Sequence, residues 1–133
     1  MPRVEWAILS KSSQQDEAGL NNILGILDEW LAPSTAQPPY YINCALTFCV
    51  RGSVGESVRV GIDWLDPNGG LIRRFENDIV LRVRGGAIYG HIMEDVGFPS
   101  FGEFAFLIRL NGEEAQRIPL YVLPLPPMTS VTH

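Results

Sequence analysis

The stretch "GHIMEDVGF" holds the sequence's best cluster of titratable side chains, because it places His91 close to Glu94 and Asp95. An imidazole and a carboxylate near each other could form an acid/base pair or part of a metal site. In a regular strand His91 and Asp95 share a face, and Glu94 lies on the other. A solvated strand edge and turn is the favoured interpretation, and a ligand site at His91 and Asp95 is the alternative.

The stretch "DWLDPNG" supplies a second group of possible ligands, Asp63, Asp66 and Asn68. Their oxygens are of the type that calcium prefers, but the complete calcium-loop pattern is missing. We therefore favour a plain hairpin turn here. Asp66 joins His91 and Asp95 in the alternative hypothesis, a small-ligand or metal-binding site.

The common catalytic patterns are missing from the sequence. A Ser/His/Asp mechanism needs a histidine, and the chain offers only His91 and His133, with no "GxSxG" stretch. Neither "GxxxxGK[ST]" nor "GxGxxG" is present to hold a phosphate. We expect no catalytic residues and no cofactor, and a protein that is more plausibly a binding module than a hydrolase.

Charge and hydropathy limit the partners. The chain has a net charge of -5, and its basic residues are nine arginines and Lys11, without a long basic run, which argues against nucleic acid. No stretch of about 20 apolar residues suggests a membrane span, and the start does not resemble a secretory signal. We expect a soluble, cytoplasmic protein.

The two cysteines, Cys44 and Cys49, lie five residues apart in one strand-like segment. Their side chains should point to opposite faces of a strand, so we expect two buried, reduced thiols without a bridge.

Alternation of apolar and polar residues indicates strands from residue 40 onward. "SVRVGIDWLDPNGGLIRRF" predicts a hairpin with Trp64 in the core, "NDIVLRVRGG" a third strand, and "EFAFLIRLNGEEAQRIPLYVL" a closing hairpin that turns at Asn111 and Gly112. Pro119 cannot donate to a ladder, which predicts an edge or a bulge in the last strand.

With further runs near residues 3–10, 40–50 and 87–95, the count reaches about eight short strands. Such strands with frequent Gly/Pro turns predict an all-β, antiparallel β-sandwich, immunoglobulin-like or related. We expect one domain over residues 1–123 and a Pro-rich, flexible tail over 124–133.

The segments "VEWAIL", "GLNNILGILDEWLAP", "PPYYINCALTF", "VGIDWLDPNGGLI" and "FPSFGEFAFLIRLNGEEAQRIPLYV" occur in this order. Together they resemble an uncharacterised family of small bacterial domains of unknown function, from about Val4 to Val122. The resemblance implies an all-β sandwich and supplies no catalytic residues. Leu27 stands where the family pattern usually has an aromatic residue.

Residues 20–31 allow two interpretations. Apolar residues recur every three or four positions, which favours a helix, whereas the all-β context and the family resemblance favour a strand. Both faces of such a strand would be apolar, which predicts a central strand in the core with Gly25 at a bulge or at a close approach of backbone.

The leading functional hypothesis is a non-catalytic module that acts through protein–protein contacts, as a homodimer or an accessory subunit, with free strand edges as one possible contact. Candidate contact residues are Arg82 and Arg84 on one strand face, Arg74 across the sheet, and the pair Tyr40 and Tyr41, which we expect to be partly exposed.

Overall fold

The structure is a computed structural model that describes residues 1–15, 17–18, 20–33 and 35–125, without the side chains of Val83 and Asp95. Nine strands are described, one more than the predicted eight: β1 Arg3–Gln15, β2 Asn21–Ile26, β3 Glu29–Ala32, β4 Tyr40–Arg51, β5 Ser57–Leu65, β6 Leu71–Val80, β7 Gly86–Phe98, β8 Gly102–Leu110 and β9 Glu113–Pro124. No helix in the described part of the chain is long and apolar enough to cross a membrane.

The strands form two sheets. One has four strands in the order β2-β1-β4-β7, and the other has five in the order β3-β9-β8-β5-β6. Neighbouring strands are antiparallel except β3 and β9, which run parallel. The predicted all-β sandwich is confirmed.

The core lies between the two sheets and is built by alternation. On β4, Leu46, Phe48 and Val50 are fully buried in it, and on β8 so are Phe104, Phe106 and Ile108. Every second residue of a strand points to the same face, so one face of each sheet supplies the core. Trp64 belongs to this core, as predicted.

Both predicted hairpins are confirmed. Asp66 and Gly70 close the first turn through their backbones, with Gly69 at a φ of 83°. Asn111 and Gly112 have φ values of 53° and 84°, the left-handed conformations that a tight hairpin turn requires. Local turn chemistry therefore sets the register of these strands.

The predicted third strand from "NDIVLRVRGG" is wrong. Its first half continues β6, which pairs with β5 as far as Val80, and Val83–Gly85 then form a short 3-10 turn. Arg84 has a φ of 69° there, so the chain leaves the extended conformation before β7 begins.

Of the two interpretations of residues 20–31, the structure has strand rather than helix, but not one central strand. These residues form β2 and β3, which lie at the edges of different sheets, and Leu20, Leu24 and Ile26 are exposed. Within residues 20–31 only Leu27 joins the core cluster, with Trp30 packed against it; Ala32, the last residue of β3, also joins it. Gly25 has a φ of 69°, but β2 continues through it without a register shift against β1, so no bulge marks this position.

Pro119 lies in a part of β9 that has a ladder partner on one side alone. It pairs with Ala105 of β8, while β3 contacts only Tyr121–Pro124 of β9. Pro119 is thus at an edge, as predicted. β9 itself extends to Pro124, and the remainder of the predicted tail, 126–133, lies outside the described residues.

Candidate functional site

The outer face of the four-stranded sheet is unusually apolar. Ser10 of β1 pairs with Ile26 of β2 and with Ala45 of β4, and Ala45 pairs with Ile92 of β7. Residues paired in this way project from the same face. The next outward residues on β4 are Thr47 and Cys49, so small or apolar side chains fill positions that usually meet water.

Several of these outward side chains are nevertheless buried. Ser10 and Thr47 are 0% exposed, Ala45 and Cys49 nearly so, and the Thr47 hydroxyl has no hydrogen-bond partner among the described residues. The five-stranded sheet packs on the other face, so it cannot cover them. A second layer must lie over this side of the sheet.

The second half of β1, together with β2, provides that layer. β1 pairs with β4 only as far as Ser10, and from Ser12 onward its described partner is β2. The Ser10 hydroxyl donates to the carbonyl of Ser12 at 3.0 Å, a local contact that suits a bend. We call residues 11–15 of β1, together with β2, the β1–β2 hairpin.

Two cavities locate the β1–β2 hairpin above the sheet. One, of about 300 Å³, is lined by residues 11–14 of the hairpin and by Ile92, Met93 and Glu94 of β7. The other, of about 620 Å³, brings Gln15 and Asn21 together with Cys49 and Arg51 of β4. The hairpin therefore arches across the outer face and leaves gaps beneath it.

Apolar side chains remain exposed where the hairpin meets the sheet. Leu24 is 56% exposed, Ile26 77% and Ile92 63%. We call these three side chains the apolar patch. Exposed apolar groups that lie close together mark a candidate contact surface.

One positive and one negative side chain flank the apolar patch. Lys11, the chain's single lysine, and Glu94 line the same cavity beside Ile92. Within the described residues neither makes an ion pair. The patch thus carries balanced, unpaired charges in a chain whose net charge is -5.

Cys49 lies on the covered outer face of the four-stranded sheet, and its surroundings change the pKa of its thiol. Burial raises the pKa of its thiol, which lies 3.7 Å from the Glu5 carboxylate, while Arg51 at 2.5 Å holds the pKa of Glu5 below its usual range. Cys44 lies in the core, where burial raises its pKa to about 12. Both cysteines are free and buried, as predicted, and neither is a reactive thiolate.

The outer face of the five-stranded sheet has the opposite character. Asp63, buried in β5, accepts hydrogen bonds from the Nε of Arg74 at 2.6 Å and of Arg109 at 2.8 Å. These arginines, Arg74 first, hold the pKa of Asp63 below its usual range. Arg59 beside them pairs with Glu76 and Asp78.

The three arginines predicted to form one surface are not brought together. Arg74 forms an ion pair with Asp63. Arg82 and Arg84 lie at the turn before β7 and line a different cavity. Because the strand ends at Val80, Arg82 and Arg84 do not share a strand face.

The prediction for the tyrosine pair is half right. Tyr41 is 63% exposed, but Tyr40 is buried and stacks on Phe101 at 5.0 Å between ring centroids. The two residues are consecutive in β4, so one must face the core.

The alternative ligand site is not assembled as predicted. The Asp66 carboxylate accepts hydrogen bonds from the backbone N–H groups of Asn68 and Gly70, both at 2.8 Å, so it stabilises its own turn. His91 lies instead in a cleft between β6 and β7, and Asp66 is not part of that cleft's lining. The Asp95 side chain falls outside the described residues. Among the side chains that are described, no group of three or more metal-ligating residues comes together.

The sequence does not predict the apolar patch, although Leu24 and Ile26 stand out in it as apolar residues. Leu24 and Ile26 were assigned to the core because both faces of their segment are apolar. The available signal was Gly25 between them, which makes a regular central strand unfavourable.

The described residues thus form a two-sheet β-sandwich with a hairpin folded over one outer face. The sequence matches the model of a family of unknown function, DUF6941, over residues 5–123, and the chain belongs to that family. This confirms the resemblance to an uncharacterised family of small domains. No curated protein matches the chain significantly.

Proposed function

We propose that the protein acts through protein–protein contacts as a homodimer, in which the apolar patch of one copy packs against the same patch of a second. The observation that carries this proposal is the exposure of Leu24, Ile26 and Ile92, together with the ladder pairing through Ser10 and Ala45 that places Ile26 and Ile92 on the same sheet face. A two-fold dimer uses the same surface on both copies, so that surface must be complementary to itself.

The charges flanking the patch satisfy this condition. Around a two-fold axis, Lys11 of one copy can face Glu94 of the other, and the reverse pair forms at the same time. Neither residue has an ion-pair partner within its own described chain. An unrelated partner would not need this balance of charge.

The sheet edges support contact through the face rather than through strand addition. Gly25 of β2 has a left-handed conformation, and β7 has an extra residue opposite Asn43, since Ile42 pairs with Val96 while Cys44 pairs with Met93. β6 is rich in charge and β3 has four residues. Such edges are the ones that proteins protect from pairing.

The two free, buried cysteines support a reducing compartment as the site of action, and we place the homodimer in the cytoplasm.

Sedimentation velocity of the full chain tests the proposal. The wild type should sediment as a dimer, and Ile26→Glu and Ile92→Glu should each give a folded monomer, because a carboxylate cannot be buried in an apolar contact without a partner. Val54→Glu is the matched control, since Val54 is 69% exposed in the turn after β4. A monomeric wild type, or equal effects of Val54→Glu and Ile26→Glu, would contradict the proposal.

A further inference from the structure

A cleft opens between the two sheets on the side where β6 and β7 form their edges. It has a volume of about 480 Å³ and extends from Trp64 on β5 to Gly97 on β7. Clefts that bind small molecules have volumes of this order. The β1–β2 hairpin takes no part in its lining, but Ile92 of the apolar patch and Glu94 beside it do, so the cleft adjoins the patch.

The walls of the cleft are apolar and aromatic. Trp64 forms its base, and Phe75, Met93 and Val96 form its sides. The ring centroids of Phe75 and His91 lie 4.4 Å apart, so these two residues join the sheets at one end. Such walls suit a flat, apolar group.

Trp64 also has an unsatisfied hydrogen-bond donor. The side chain is 7% exposed, and its indole N–H has no acceptor among the described residues. Buried donors without an acceptor are uncommon in folded proteins. The base of the cleft thus has a donor that an oxygen of a bound molecule can satisfy after a small shift of the ring.

The rim supplies two opposite charges. The Arg73 guanidinium lies over the Phe75 ring, with its central carbon 4.7 Å from the ring centroid, a stacking that leaves its in-plane N–H groups able to bind a carboxylate. Glu94 also lines the cleft, and the two do not pair with each other in the described structure. Burial, and then the charge of Arg73, lowers the pKa of His91, so its imidazole is neutral near pH 7.

From these features we infer that the cleft binds a small zwitterion with an aromatic ring, of the amino-acid class. The ring lies between Trp64 and Phe75, the carboxylate binds Arg73, and the ammonium group binds Glu94. The cleft adjoins the proposed dimer surface and shares Ile92 and Glu94 with it, whereas Ile26 does not line the cleft, so a change at Ile26 tests the two proposals separately.

Titration of the uniformly ¹⁵N-labelled protein, followed by NMR, tests the inference with three probes. They are phenylalanine, phenylacetate, which lacks the ammonium group, and phenethylamine, which lacks the carboxylate. Phenylalanine should shift the Trp64 indole N–H resonance, assigned through Trp64→Phe, and should bind more tightly than either truncated probe.

Arg73→Gln should weaken phenylalanine binding about tenfold, because it removes a hydrogen bond to a charged group. Arg82→Gln is the matched control, since it also removes one exposed arginine but lies outside the cleft, and it should leave binding unchanged. Chemical shifts that do not respond to phenylalanine would overturn the inference, and so would equal affinities for the three probes. Ile26→Glu should leave this binding intact, which separates the test from that of the dimer.

Discussion

The outer faces of the two sheets carry different kinds of side chain. The five-stranded sheet faces water with charged side chains that pair across strands, centred on Asp63 between Arg74 and Arg109. The four-stranded sheet presents Ala45, Thr47 and other small or apolar groups, and covers them with the β1–β2 hairpin.

This difference is the physical basis of the proposed contact surface. Paired charges on a sheet satisfy one another and keep a face solvated. An apolar face has to be covered, and here the hairpin covers its centre while Leu24, Ile26 and Ile92 stay exposed beside it. Each prediction below changes one face and uses the other as its reference.

The largest effect should follow from Thr47→Arg. Thr47 is fully buried beneath the β1–β2 hairpin, so a long charged side chain must either displace the hairpin or lose its hydration. The free energy of unfolding should fall by about 3 kcal/mol or more. Urea denaturation followed by circular dichroism measures it.

Glu103→Arg introduces the same side chain at an exposed position of the five-stranded sheet, and stability should not change measurably. Equal losses for the two variants would mean that the hairpin does not cover Thr47.

On the other face, Asp63→Ala should cost about 2 kcal/mol. It leaves Arg74 and Arg109 facing each other without the carboxylate that both of them bind. Arg59→Ala, which breaks only exposed pairs, should have no measurable effect. In thermal unfolding, Asp63→Ala should have a lower midpoint than wild type and Arg59→Ala the same midpoint. Equal midpoints for Asp63→Ala and wild type would refute the prediction.

Asp63 should also make stability depend on pH in acid. Its pKa in the folded protein is depressed below the value of about 4 that an unfolded chain has, so its contribution is fully present above that pH. The contribution is lost as pH falls through the folded pKa. Between pH 5 and pH 2, roughly the range where an aspartate titrates, wild type should lose more stability than Asp63→Asn. Parallel pH profiles of the two proteins would contradict this.

The smallest effect should come from Gly25→Ala in β2, a loss of about 1 kcal/mol. Gly25 has a φ of 69°, and an added Cβ would lie 3.2 Å from carbons of the Lys11 side chain. Gly55→Ala has a similar φ of 78° but nothing near the added methyl group, so it should cost less. Chemical denaturation of both variants measures the difference, which should vanish if Lys11 does not pack on Gly25.

The sequence predicts what is local in this fold. Asn111 and Gly112 fix a tight turn, and Val58, Val60 and Ile62 alternate into the core, so both hairpins follow from neighbouring residues alone. The apolar patch does not, because alternation gives the face of a strand but not what lies above that face. Leu24 and Ile26 are apolar in the same way as core residues, and only the bend after Ser10 decides that they stay exposed.

The described side chains of the alternative ligand site, His91 and Asp66, are kept apart for a related reason. His91 and Asp66 have suitable chemistry, but the cleft brings His91 to Trp64 and Phe75, which lie in other strands and far away in sequence. Asp66 is instead used by its own turn. Arg82 and Arg84 were placed in a strand because the alternation continues through them, whereas the turn before Gly86 ends it.

The most direct test of the homodimer mixes two charge-reversal variants, Lys11→Glu and Glu94→Lys. In a two-fold dimer through the apolar patch, each variant alone brings two pairs of like charges together, so each should be monomeric by analytical ultracentrifugation. The equimolar mixture restores both Lys–Glu pairs and should form a heterodimer. Two variants that dimerise alone as the wild type does, or a mixture that stays monomeric, would contradict this account of the molecule.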